Sequence, residues 1–244
     1  MRTDKAPFSD IRVRRAMSMA IDRKGIIDAV YEGVGVLNPA IPAALKEWSI
    51  PMDRARRGLR QYYRYDPAAA KKLLAEAGLA SGFSATVEFT TYGSTILVDT
   101  CQLVLKYLKD VGIDAKLVTK EYGAYISTTF YGKFDSMAFG PQTGFQEPDN
   151  HLYGQYYPGE LKNQSHINDP VVADMLIRQR RTADLAKRRE VIFDIQRHLA
   201  KQQYYVQMPS PIARRGLGRR ASRTTRRTHG YDYGGRLLSA WLDR

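Results

Sequence analysis

Residues 85–119, ATVEFTTYGSTILVDTCQLVLKYLKDVGIDAKLVT, contain the pattern that decides the fold. Apolar and polar residues alternate over 85–91, apolar residues recur at steps of three and four over 97–111, and alternation returns over 113–119. A period of two is typical of a half-buried strand, and steps of three and four are typical of one helix face. The stretch therefore predicts a strand–helix–strand unit of the α/β class.

The sequence on both sides of this unit extends the same pattern. Helices are expected over 9–21, with Ser9 as N-cap, and over 23–32, 66–78, 121–130, 170–181 and 184–201. Further strands are expected over 134–140 and 204–208, whereas 33–65 and 141–170 are predicted to be irregular. In the last helix, Leu185, Ile192, Ile195 and Leu199 are expected to share one buried face. We therefore expect a mixed sheet flanked by helices.

Composition indicates a globular chain, and its positive charge is local. Hydrophobic residues make up 43% and charged residues 26% of the 244 residues, which is ordinary for a folded domain. The formal net charge is +13, but seven arginines lie between Arg214 and Arg227, and without those seven the charge falls to +6. The totals alone thus do not point to a nucleic-acid-binding protein.

No arrangement of reactive side chains predicts an enzyme. Cys101 lies on the apolar helix stripe and is interpreted as a core residue, while the single cysteine excludes an internal disulfide. The histidines lack metal-ligand spacing, and His198 is expected at a surface or a helix end. The sequence has neither a GxSxG nucleophile motif nor a Walker lysine loop. We expect no catalytic residue, metal or cofactor.

One loop leaves alternatives open. It contains His151, His166, Asp149 and Glu160, so a metal site there is the alternative to a structural loop. Glu147-Pro148-Asp149 is predicted to form a proline-fixed turn rather than a pair of catalytic carboxylates.

A series of short motifs, in register along the chain, resembles one family. The motifs are residues 6–16 (APFSDIRVRRA) with 20–23 (AIDR), 65–68 (YDPA) with 73–78 (LLAEAG), 134–135 (FD), 147–149 (EPD), 168–170 (NDP), and 230–237 (GYDYGGRL) with 241–243 (WLD). Together they resemble the extracellular solute-binding proteins of family 5, the peptide- and nickel-binding type that serves ABC importers. The resemblance covers nearly the whole chain.

The resemblance implies a type II periplasmic-binding-protein-like lobe whose partner lobe is mostly missing. Residues 1–203 would form the second lobe, and 204–244 would return to the first lobe. The implied function is non-catalytic capture of a small solute, either peptide-like or an uncharged organic molecule, for ABC permease membrane subunits. We expect a monomer, periplasmic in the complete protein, although residues 1–10 lack the apolar segment of a signal peptide.

The resemblance also places the ligand-facing segment. The expected contacts are Tyr122, Phe139, Gly140, Pro141, Gln142, Thr143, Gly144 and Phe145. Their physical rationale is a strand ending in a loop, where α/β folds gather ligands. A structural turn over 141–144 is the alternative interpretation.

Three charges that the resemblance would supply are missing. Peptide-binding relatives carry an acidic residue at the position of Gly144, and some carry arginines at the positions of Thr129 and Ala138. A buried ammonium without a carboxylate partner is costly. The solute is therefore expected to be uncharged, or oriented by the missing lobe, and binding by this chain alone is expected to be weak or absent.

The arginine-rich stretch 212–228 departs from the family pattern. A pair of compensating frameshifts is the leading hypothesis, since the family pattern returns abruptly at Gly230. A solvated loop is the second interpretation. The third is a basic arm, which would make the chain a small basic nucleic-acid-binding protein using 214–227. That stretch lacks aromatic residues, so no specific nucleic-acid partner is expected.

Overall fold

The computed structural model describes residues 1–37, 40–50, 60–91, 95–140 and 147–212 as alternating helices and strands. The helices are α1 (Ile11–Ala20), α2 (Arg23–Val30), α3 (Pro67–Glu76), α4 (Thr95–Asp110), α5 (Tyr122–Ser127), α6 (Pro148–Tyr156), α7 (Pro170–Arg181) and α8 (Leu185–Gln202). The strands are β1 (Gly35–Leu37), β2 (Phe83–Phe89), β3 (Ile113–Thr119), β4 (Met137–Ala138) and β5 (Pro209–Pro211). Short 3₁₀ helices span Gln61–Tyr63 and Thr129–Tyr131. This order confirms the predicted α/β class.

Parallel pairing builds the larger sheet in the described part of the chain. Its strand order is β3-β2-β4, and β2 runs parallel to both neighbours, with Phe83 opposite Ile113 and Glu88 opposite Ala138. β1 and β5 form a separate antiparallel pair. In the described part of the chain, the parallel and antiparallel pairings thus lie in two separate sheets, each accompanied by helices.

The helix ends follow from local capping chemistry. The side chains of Asp22, Asp66, Asp169 and Asp184 each accept a backbone N–H at the start of a helix. The N-cap of α1 is Asp10, whose carboxylate accepts from the Arg12 amide, so the expectation of Ser9 at this position is wrong. A carboxylate is the stronger acceptor for an unpaired helix N–H.

Two predicted segments differ from the structure, one expected to be irregular and one expected to be a strand. The stretch 141–170 was expected to be irregular, but α6 lies within it, because Glu147 caps the helix and Pro148 occupies its first turn. A proline is favoured there since no N–H is needed. The strand expected over 204–208 is also wrong, because strand pairing begins only at Pro209.

The buried apolar side chains form two main clusters. One lies beneath the sheet and includes Val13 and Met17 of α1 together with Val87 and Ile113. The other joins α6, α7 and α8. In α8, the predicted buried face is confirmed for Ile192, Ile195 and Leu199, whereas Leu185 is 64% exposed because it is the first residue of the helix.

The central unit also confirms the interpretation of Cys101 as a core residue. Cys101 is 1% exposed, and burial raises the pKa of its thiol to about 12, so the thiolate that a nucleophile requires is not formed at neutral pH. Gly82 and Gly112, which precede β2 and β3, have φ angles of +79° and +94°. A Cβ at Gly82 would overlap the Gly112 carbonyl oxygen, so the close approach requires glycine.

None of the described helices is both long enough and apolar enough to cross a bilayer.

Candidate functional site

The carboxyl ends of the parallel strands meet at one edge of the sheet. Two backbone hydrogen bonds define this edge: the Lys120 amide donates to the Phe89 carbonyl at 2.7 Å, and the Phe139 amide donates to the Glu88 carbonyl at 2.9 Å. α5 follows directly after β3, with the carboxylate of Glu121 as its N-cap. This carboxyl edge is where α/β sheets gather ligands.

Three of the residues predicted to face the ligand lie at this carboxyl edge. Tyr122 opens α5 and is 43% exposed. Phe139 follows β4, is half-buried, and has its ring centroid 6.2 Å from that of Phe89. The next residue, Gly140, is exposed. The predicted contacts Pro141, Gln142, Thr143, Gly144 and Phe145 lie outside the described residues, so their role stays a prediction.

Tyr125 joins α5 to the end of β4. Its hydroxyl donates to the Phe139 carbonyl at 3.2 Å, and its side chain is only 6% exposed. A Cβ at Gly140 would overlap the Tyr125 hydroxyl, so this packing depends on glycine. Burial and the nearby Glu88 carboxylate raise the pKa of Tyr125 to about 12. Tyr125 therefore stays protonated and keeps its role as a donor.

A polar cluster of Glu88, Lys120 and Thr129 completes the carboxyl edge, and the sequence analysis missed it. The Lys120 ammonium lies 2.6 Å from Oε2 of Glu88, and Thr129 Oγ1 donates a hydrogen bond to the same oxygen. Lys120 Nζ also donates to Thr129 Oγ1 at 3.3 Å. The polar positions of the strand pattern gave a signal for Glu88, but nothing in the sequence pairs it with Lys120.

The positions where relatives were expected to carry arginines adjoin this cluster. Ala138 is the strand partner of Glu88 on β4, and Thr129 is the hydrogen-bond donor to its carboxylate. The structure therefore brings Thr129 and Ala138, the two positions where some relatives were expected to carry arginines, close to Phe139, which was predicted as a ligand contact. Glu88 and Lys120 add a carboxylate and an ammonium group to this set of residues.

The described histidines have structural partners. His198 was expected at a surface or a helix end, but its Nε2 lies 2.7 Å from the Asp169 carboxylate and its side chain is 21% exposed. His166 Nε2 lies 2.9 Å from the Gly132 carbonyl, and His151 is buried in α6. Within the described ranges, no three His, Cys, Asp or Glu residues are grouped as a metal site.

The two acids of the 147–149 triplet also have structural roles. Glu147 caps α6 and pairs with Arg188, and Asp149 pairs with Arg180 at 2.7 Å. They support the helix rather than a reaction, in line with the non-catalytic interpretation. The arginine-rich stretch lies outside the described residues apart from Ile212.

Comparison with known proteins gives one family. The model of "Bacterial extracellular solute-binding proteins, family 5 Middle" matches residues 1–163. Di/tripeptide-binding protein 1 of Pseudomonas aeruginosa is 33% identical over 218 residues, which are 85% of this chain and 37% of the relative. The chain thus spans about two fifths of the length of the relatives that it matches.

Two solved structures share the fold. The periplasmic binding protein DppA of Helicobacter pylori, in complex with the peptide STSA, has a TM-score of 0.74 at 26% identity, covering 86% of this chain and 40% of that one. A periplasmic oligopeptide-binding protein of Thermotoga maritima with bound mannohexaose has a TM-score of 0.71 at 25% identity, covering 86% and 42%. Because the family model matches about two thirds of the chain, the chain belongs to the bacterial extracellular solute-binding proteins of family 5.

Proposed function

We propose that this chain is part of the substrate-binding component of an ABC importer and captures a small solute without chemical change. The observation that carries the proposal is the carboxyl edge of the parallel sheet. The partly exposed side chains of Tyr122 and Phe139 lie at this edge, and so do the polar side chains of Glu88 and Lys120. Aromatic faces with a few convergent polar groups are typical of small-molecule sites.

The relatives support a capture role and leave two classes of solute. One curated relative is named for di- and tripeptides, and one solved relative was crystallised with mannohexaose. For this chain, the proposed solute is accordingly a short peptide or a neutral hydroxyl-rich molecule. The ABC permease as partner, the periplasmic location and the monomeric state belong to the same proposal.

The remaining candidate contacts and the domain division are part of this proposal. Residues 141–145 follow Gly140 directly in the chain, so we assign them to the same surface. Residues 1–203 are proposed as the lobe and 204–244 as the return segment. The comparisons give no support to the nucleic-acid-binding alternative.

Amide-resolved NMR of the isotopically labelled chain tests the proposed surface. The probes are the dipeptide Ala-Ala and mannohexaose, titrated separately into the millimolar range. At least one probe should shift the amide signals of Tyr122, Phe139 and Gly140, because these residues form the described part of the carboxyl edge. Phe139→Ala should weaken the response, while its spectrum should retain the dispersion of a folded protein.

The opposite edge of the sheet supplies an internal control. A cavity of about 290 Å³ lies there, lined by residues that include Lys71, Ser81 and Gly112. The proposal predicts no solute-dependent shift at these three amides. Shifts that are largest around Gly112, or that Phe139→Ala leaves unchanged, would contradict the proposed surface.

A further inference from the structure

The ion pair of Glu88 and Lys120 reaches solvent at the carboxyl edge. Glu88 extends from the end of β2 and its side chain is 17% exposed, while Lys120 follows β3 and its side chain is 26% exposed. Both groups are therefore largely desolvated, and each keeps an exposed part at the carboxyl edge.

The Glu88 carboxylate and the Lys120 ammonium form an ion pair with each other. Lys120 Nζ lies 2.6 Å from Glu88 Oε2, and its other hydrogen bonds go to the hydroxyls of Thr128, at 3.4 Å, and Thr129, at 3.3 Å. Glu88 accepts a second hydrogen bond, from Thr129. The ammonium therefore has three oxygen partners, and the pair adds no net charge to the edge.

The neighbouring carboxylate of Glu121 also has hydrogen-bond partners within the chain. It caps α5 by accepting the Ala124 amide at 3.0 Å, and these backbone hydrogen bonds, with Gly123 and Ala124 foremost, lower its pKa. A carboxylate at a helix N-terminus is already balanced by the helix dipole. Glu121 is thus ionised and held in place by the backbone of α5.

A charged solute group is at a disadvantage on such a surface. It would lose hydration on approach, and to take one member of the pair as its counter-charge it would have to break the pair, which costs more than a hydrogen bond between neutral groups. Hydroxyl and amide groups avoid that cost. They can donate to the Glu88 carboxylate, or replace a threonine hydroxyl as an acceptor of Lys120, while the ion pair stays intact.

We infer that the Glu88–Lys120 pair is a specificity determinant that selects solutes presenting uncharged hydroxyl or amide groups to the carboxyl edge. The inference rests on the proposed function, since it names the solute class of the same surface. Thr129 is the positioning residue, because its hydroxyl bonds both members of the pair.

One dipeptide in three charge states tests this selection. The probes are N-acetyl-Ala-Ala-amide, which is neutral, Ala-Ala-amide, which is cationic, and N-acetyl-Ala-Ala, which is anionic. Each is titrated into the full chain and followed at the amides of Tyr122, Phe139 and Gly140. Wild type should bind the neutral form more tightly than either charged form.

Breaking the pair from either side should shift the selection in opposite directions. Glu88→Gln leaves the ammonium unpaired and should improve the anionic form over the neutral one by roughly tenfold, as expected for a hydrogen bond to a charged group. Lys120→Met should favour the cationic form by a similar factor. The reversed double variant, Glu88→Lys with Lys120→Glu, restores a neutral pair and should restore the wild-type order.

A remote ion pair provides the matched control. Lys106 and Asp110 pair at 3.0 Å on α4, so Lys106→Met changes the net charge by the same amount as Lys120→Met without touching the carboxyl edge. It should leave the order of the three probes unchanged. The inference is overturned if wild type prefers a charged form, a comparison that needs no variant to fold, or if folded Glu88→Gln and Lys120→Met keep the wild-type order.

The proposed function fails by a different outcome. If none of the dipeptide forms, Ala-Ala or mannohexaose shifts the amides of the carboxyl edge in any folded variant, the binding surface itself is wrong, and the inference falls with it. If solutes shift those amides with a charge preference that the variants do not alter, only the inference fails. The pair would then have only a structural role, joining the ends of β2 and β3 to the 3₁₀ helix that begins at Thr129.

Discussion

At the scale of single residues, Asp169 joins the start of α7 to His198 on α8 and to Tyr204. It is 9% exposed, and its carboxylate accepts the Val171 amide at 2.9 Å, His198 Nε2 at 2.7 Å and the Tyr204 hydroxyl at 2.7 Å. Burial opposes its ionisation, but the hydrogen bonds from Tyr204, His198 and Val171 outweigh burial, and the pKa of Asp169 lies below its usual value. The carboxylate thus stabilises the fold when it is ionised.

Asp169→Asn should lower the free energy of unfolding at pH 7 by about 2 kcal/mol, because a charged acceptor is replaced by a neutral one. Asparagine keeps the capping ability, so the loss reports the bonds to His198 and Tyr204. Since the folded pKa is depressed, the wild-type advantage is present above the usual aspartate pKa. It is lost as pH falls through the folded value.

Urea unfolding of both proteins between pH 7 and pH 3 checks this. The difference between wild type and Asp169→Asn should shrink towards acid pH, while the exposed Asp174→Asn should match wild type throughout. A difference that is already negligible at pH 7 would show that Asp169 is only a helix cap.

At the scale of elements, Arg14 of α1 and Arg23 of α2 hold the end of α8 and the residues that follow it. Arg14 donates to the Gln202 carbonyl at 2.9 Å, and Arg23 donates to the Gln207 carbonyl at 2.8 Å and the Ser18 carbonyl at 2.9 Å. Arg23 is 3% exposed, and burial lowers its pKa to about 10, so it stays charged at neutral pH. These motif arginines act on the backbone rather than on a solute.

Arg23→Met should destabilise the chain by about 3 kcal/mol, because buried carbonyls that accept from a charged donor would lose their partner. Arg15 donates one hydrogen bond, to the Lys201 carbonyl at 2.9 Å, and its guanidinium carbon lies 4.4 Å from the ring centroid of Tyr62, at a less buried position. Arg15→Met is the matched control. Its cost should stay below about 1 kcal/mol. If urea unfolding gave equal losses for Arg23→Met and Arg15→Met, the proposed role of Arg23 in holding the Gln207 carbonyl would be contradicted.

Elements with strong local signals could be predicted, and elements defined by tertiary contacts could not. Asp66-Pro67 and Asp169-Pro170 mark helix starts, and the strand–helix–strand pattern of 85–119 fixed the class of the fold. α6 was missed because Glu147-Pro148 serves a turn as well as a helix start. In the site, Tyr122, Phe139 and Gly140 were predicted at one surface, on the family resemblance. The Glu88–Lys120 pair was not, since their approach depends on the parallel register of β2 and β3.

At the scale of the whole molecule, α1 lies between the two apolar clusters. Its Val13 and Met17 belong to the cluster beneath the sheet, while its Arg14 lies with its guanidinium carbon 5.0 Å from the ring centroid of Tyr204, which packs against the second cluster. The carboxyl edge belongs to the sheet that covers the first of these two clusters. The chain spans about two fifths of the length of its relatives, and in the proposed function it supplies one side of a solute-binding cleft.

Calorimetry on the isolated chain tests directly whether this chain supplies only one side of the cleft. Titration with the neutral capped dipeptide and with mannohexaose should give a dissociation constant no tighter than about 1 mM, equivalent to roughly −4 kcal/mol, because only one side of the cleft contributes contacts. A dissociation constant in the micromolar range or below, with one solute bound per chain, would show a complete binding site within these 244 residues and contradict the account.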